Sequence, residues 1–183
     1  MSSLPDHRSS AASDDFVAQL AGLAPDGATA VLRAFRADAT RYTQGSHDAL
    51  FSKDVTDLAL QERLIAAWYA ALLSRADQSA QAYRERLLAL ETADSAATQA
   101  LLDAIAQHHE LPFETIADKR LAAILAHTEA LVLRPAATGQ AALSTLQTAG
   151  LTTRAIVALA QLVAFVTYQV RVVAALRALE AKA

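Results

Sequence analysis

An all-α fold is what this sequence predicts, on three observations. Of its 183 residues 54% are apolar, but much of that share is alanine and only 5% of the chain is aromatic; alanine is the strongest helix former and adds little bulk. Five glycines and four prolines leave few places where a helix has to break. Large apolar residues recur at three- and four-residue spacing through the long stretches, the period of one helix face. The length suits one domain, or two small packed halves, with a sizeable core.

The N-terminal MSSLPDHRSSAASDD is polar and lacks the apolar run of a secretory signal. Residues 1–13 are expected to form a disordered leader or an arm that docks on a neighbour, ahead of a single helical domain over 14–183. DDFVAQLAG (14–22) predicts a short, acid-capped helix closed by Gly22. After the Pro25-Asp26-Gly27 turn, Ala28–Tyr42 predicts a helix with Val31, Leu32 and Phe35 on one face. TQGSHDALFS (43–52) reads as a loop, in which Ser46 caps a single turn ending near Phe51.

Asp57–Ser74 is the first strong helix: Leu60, Leu64, Trp68 and Leu72 recur every four residues, and Ile65 and Leu73 widen the stripe. The polar stretch Ser-Arg-Ala-Asp-Gln-Ser leads almost directly into a second helix over Gln78–Leu90, and a third covers Asp94–His108. HHELPFE (108–114) is a break. Ile116–Leu133 predicts a helix stopped at Arg134-Pro135, and Gly139–Ala149 another closed by Gly150. Thr152 or Thr153 caps a last helix that meets neither Gly nor Pro before the C-terminus. Along it Ile156, Leu159, Val163, Val166, Val170 and Val173 alternate by three and four, a narrow seam for a partner helix of the same chain or of another subunit.

A weak internal repeat places RLIAAWYAALL (63–73) over RAIVALAQLVA (154–164), and Tyr83-x-x-Arg86 over Tyr168-x-x-Arg171. The offset between the two matches differs by the polar stretch, present in the first copy and absent from the second. Two related helical hairpins would then pack about a pseudo-twofold.

The formal charge is −3 with Lys/Arg and Asp/Glu interleaved, so no basic stripe offers itself to nucleic acid. The longest uncharged apolar run, Ala155–Val170, has 16 residues, short of the ~18–20 that span a bilayer. A soluble, cytoplasmic chain with no membrane partner is the expectation. The chain has no cysteine, which excludes disulfides, thiolate metal sites and every thiol-based mechanism within it.

TQGSHDALFS, LALQERLIAAWYAALLS leading into AYRERL, DKRLAAILAHTEALVLRPAA, and the closing LQTAGLTTRAIVALAQLVAFVTYQVRVVAALRAL together resemble the alkylhydroperoxidase D-like, or carboxymuconolactone decarboxylase (CMD), family over roughly residues 40–180. The resemblance implies a helical bundle whose protomers assemble as dimers, trimers or hexamers. Active members of that family carry Glu, eleven residues, Cys, two residues, Cys, three residues, His. A thiolate at a helix start attacks the peroxide, the second thiol resolves the sulfenic acid, and Glu and His move the protons. Counted from Glu62, the two Cys positions fall on Ser74 and Asp77 and the His position on Gln81; one residue later, Arg63 leads to Arg75, Gln78 and Ala82. Neither frame holds a cysteine or histidine, so the family's peroxidase chemistry is absent.

Ser74, Asp77 and Gln81 are either a vestigial polar pocket or a hydrated helix corner with Asp77 or Ser79 as N-cap. His108-His109-Glu110 invites a metal, but adjacent histidines on a helix point about 100° apart, and His127 and Glu129 also face differently. No metal and no cofactor is expected. A Ser-His-Asp arrangement has no histidine nearby in sequence, although His108, His109 or His127 could approach in space.

Tyr83 with Arg86, and Tyr168 with Arg171, each share one helix face. Arg171 interrupts an apolar helix and, if buried, needs a partner such as Glu62, Asp57 or Glu129; otherwise it is an anion-binding group for a small acid, near Trp68 and Tyr69. Glu62, Tyr168 and Arg171 are thus the weak catalytic candidates. The leading expectation is a non-peroxidase accessory or structural member of the family, in a homo-oligomer or beside a cysteine-bearing relative. The alternatives are a cysteine-independent decarboxylase- or isomerase-like enzyme, or a binding protein, for a small organic acid.

Overall fold

A computed structural model describes residues 15–90, 95–107 and 113–182, and over these the chain is all-α, with nine α-helices, two 3-10 turns and no strand among the described residues. Its contacts divide it into two compact units, Met1–Ala49 with Arg171–Ala183, and Leu50–Val170. The 1–13 arm and His108-His109-Glu110 lie outside the described residues.

In the first unit, α1 (Phe16–Ala21) forms as its sequence predicts: Asp15 accepts from the Ala18 N–H at 3.1 Å, and Gly22 ends the helix in the left-handed region at φ 67°. Helix α2 (Ala28–Ala34) is half the expected length, and its apolar trio does not face inward. Val31 and Leu32 are exposed, and Phe35 is 82% exposed. The reason is a competing face. Thr29 is buried, and four residues on Arg33 makes a two-pronged ion pair with buried Asp15, Nε–Oδ2 3.0 Å and Nη2–Oδ1 3.0 Å. That pair rotates the helix so that its apolar stripe points outward.

The expected loop at 43–52 is instead the second half of a continuous helix, α3 (Ala37–Phe51). Thr43, in the expected loop, and Ser46, its expected cap, turn their hydroxyls back onto the carbonyls of Ala39 and Tyr42, at 2.7 and 2.8 Å. Their polar groups are therefore satisfied inside the helix and leave it unbroken.

The second unit is built on α4 (Leu60–Leu73), buried without interruption from Arg63 to Ala71. Ala66, Ala67, Ala70 and Ala71 let neighbours come close, and α4 packs against α5 (Asp77–Leu88) and α7 (Lys119–Leu133). Around these lie α6 (Ser95–Gln107), α8 (Gln140–Thr148) and the portion of α9 (Thr153–Glu180) up to Val170. Thr152 caps α9, its Oγ1 accepting from the Ala155 N–H at 3.1 Å. Ile156, Leu159, Val163, Val166 and Val170 are all buried, so this seam packs within its own chain. By length and composition alone α9 could cross a membrane, and less than half of its most apolar stretch is buried inside the protein.

One charged side chain sits in the middle of this core. Arg63 is 2% exposed and donates to three backbone carbonyls: Nε to Leu58 at 3.0 Å, Nη1 to Leu50 at 2.6 Å, and Nη2 to Val55 at 3.2 Å. Leu50 lies in the last turn of α3, whose unpaired carbonyls form the negative end of the helix. The guanidinium closes that helix end and folds the 52–59 connection back onto α4. Burial pushes its pKa below the ordinary arginine value, and neighbouring Glu62 opposes that shift.

The internal repeat is only partly visible. The first copy is cut by the break between α4 and α5 while the second runs through α9 without a break. Matched residues, however, have opposite surroundings. Tyr83 is buried, stacked on Phe51 at 5.5 Å with its hydroxyl 2.6 Å from Gln169, whereas Tyr168 is exposed. Arg86 lies over the Phe51 ring, 4.7 Å from its centroid, whereas Arg171 is in solvent.

Replacing Arg63 by Met keeps the stem and leaves three carbonyls without their donor. The expected loss is about 3 kcal/mol, since three hydrogen bonds to a charged group at ~1.5–3 kcal/mol each are partly offset by no longer burying the guanidinium. It would be read as a thermal midpoint lower by roughly 6–12 °C.

Candidate functional site

Ser74, Asp77 and Gln81, expected from the resemblance to stand at a redox motif, lie at the corner between α4 and α5. Ser74 is the last residue before the turn and donates its hydroxyl back to the Ala70 carbonyl at 2.8 Å. Arg75 adopts φ 55°, and two backbone bonds close the helix: Ala76 N–H to Ala71 O at 3.0 Å and Arg75 N–H to Leu72 O at 2.9 Å. This pair of bonds around a left-handed residue is the Schellman closure. The same pattern ends α1 around Gly22 and α8 around Gly150, at φ 86°. Arg75 is the only non-glycine residue among the described residues with positive φ.

The expected cap at the start of α5 does not form. Its N-cap is Ala76, with no side-chain bond to the helix, and Asp77 is an exposed residue of the first turn. Ser79 is buried, its Oγ without a hydrogen-bond partner among the described residues. Gln81 is exposed and bonded to Glu85 at 2.8 Å. The three motif positions therefore share no polar contact.

Glu62 stands at the start of α4 and is fully engaged. Its Oε2 accepts from the Ala59 N–H at 2.8 Å, and its Oε1 from Arg120 Nε at 2.6 Å. Arg120 also donates to the Gly150 carbonyl at 2.7 Å and the Asp57 carbonyl at 3.0 Å, tying α4, α7 and the end of α8 together. The Glu62 bond raises the Arg120 pKa. Asp57 accepts from the Thr152 hydroxyl at 3.2 Å and lies 3.6 Å from Arg154. Arg171 is exposed, with no ion pair among the described residues, so the buried, paired guanidinium expected there does not occur. Tyr168 is 46% exposed, its ring 6.5 Å from that of Phe165.

Two polar pairs that no local pattern announces hold the core. Tyr69 donates to Glu129 Oε2 at 2.8 Å, and its ring stands at 83° to that of Phe113, 6.2 Å between centroids. Burial and the Glu129 bond hold the Tyr69 phenol well above its ordinary pKa. Tyr83 donates to Gln169, and burial likewise pushes its phenol up. Partners 60 and 86 residues apart leave no spacing signal. Burial, joined at Tyr69 by the Glu129 bond, keeps both phenols protonated, which suits scaffolding and not proton transfer near neutral pH.

His127 is buried on α7 with Nδ1 unpartnered among the described residues, and burial lowers its pKa. No group of three or more His, Asp or Glu that could hold a metal occurs among the described residues.

Two outcomes follow from this geometry. Replacing Arg75 by Gly removes the cost of a side chain at positive φ and is expected to stabilise the protein by about 1 kcal/mol, or roughly 2–4 °C. His127 gives a pH dependence. Between about 6.5 and its lowered native value, the unfolded chain binds a proton that the native state refuses, so stability falls as pH falls through that window. Denaturant titrations from pH 7 to 5 should show His127→Leu losing less stability than the parent, the difference reaching at most about 1.4 kcal/mol per pH unit. No family model matches the chain, and neither a curated protein nor a solved structure matches it.

Proposed function

We propose that this chain is a cysteine-free relative of the alkylhydroperoxidase D-like proteins that performs no thiol chemistry. In this reading it serves as an accessory or structural subunit, in a homo-oligomer or beside a cysteine-bearing relative. The observation that carries the proposal is the α4–α5 corner. In this reading the corner corresponds to the family's thiol pair, and there Ser74 spends its hydroxyl on its own helix and Gln81 bonds Glu85. Glu62, which would relay protons, is bound by Arg120 and by the Ala59 N–H. The small-organic-acid reading needs Glu62 as a free base, and this engagement weighs against it.

The test is to restore the chemistry. The parent chain should consume no hydroperoxide with a dithiol reductant. The double variant Ser74→Cys/Asp77→Cys should form an intramolecular disulfide on adding an organic hydroperoxide, through thiolate attack, a sulfenic acid, and its resolution with loss of water. Hydroperoxide turnover by the parent would overturn the proposal. A variant that stays reduced, with Arg75→Cys/Gln78→Cys equally inert, would remove the family reading behind it.

A further inference from the structure

We draw no further inference here: the strongest candidate, the exposed apolar patch of Val31, Leu32 and Phe35 on α2, is an unpartnered helix face, and nothing in the structure shows what covers it.

Discussion

The second unit depends on a cation whose hydrogen bonds go to carbonyls. Arg63 sits among aliphatic side chains on α4 and meets three carbonyls instead of a carboxylate. A buried guanidinium is costly unless its donors find acceptors, and unpaired carbonyls at the end of a helix are costly unless they find donors. The two deficits cancel each other. Leu50 is one of the orphan carbonyls of α3, while Val55 and Leu58 belong to an irregular connection that has no ladder of its own. One planar fork satisfies all three, a task that lysine's point charge would perform less well. The apolar run of α4 can therefore begin directly behind an irregular loop without leaving that loop's backbone unpaired.

A second constraint acts at the other end of α4. Three helices end with the same pair of backbone bonds around a left-handed residue, and two of them use glycine. At the third the chain keeps Arg75, whose Cβ makes that conformation unfavourable. The turn forms nonetheless because α5 begins immediately behind it and packs along α4, so tertiary contact holds a backbone that local preference resists. Between Arg63 at one end and Arg75 at the other, α4 is fixed in length and direction. The residues between them are mostly alanine, which suits a helix whose role is to be packed against on all sides.

The helix inventory was legible because period and punctuation agree. Gly22, Gly150, Pro135 and Thr152 each stop or start a helix where sequence places them. Where the reading failed, a side chain had two uses. Ser46 reads as a cap but back-bonds within α3, and Val31, Leu32 and Phe35 read as a core stripe but lose to the Asp15–Arg33 pair on the other face. The candidate site was legible only as a location. Glu62 was visible as an acid at a helix start, while its engagement by Arg120 crosses 58 residues and leaves no local trace. Arg63 ends the polar stretch Gln61-Glu62-Arg63 ahead of an apolar run and carries no local sign of burial, whereas Arg171 interrupts an apolar helix. One proved to be buried and the other exposed, because Arg63 has free carbonyls within reach of its fork.

The contrast between Arg63 and Arg154, its counterpart in the weak repeat, shows how similar helices come to play different parts. Arg154 is exposed beside Asp57, and α9 behind it stays uncharged on both faces as far as Val170. On α4 the neighbouring helices α5 and α7 cover the apolar faces, and burial extends around the whole helix. On α9 burial covers the Leu159–Val166 side, while the side bearing Val157 and Tyr168 meets water. That exposed side carries Val157, Gln161, Ala164 and Tyr168, two larger apolar residues separated by an amide and an alanine. What distinguishes this face from ordinary surface is the absence of charge over a run where α3 and α5 carry several.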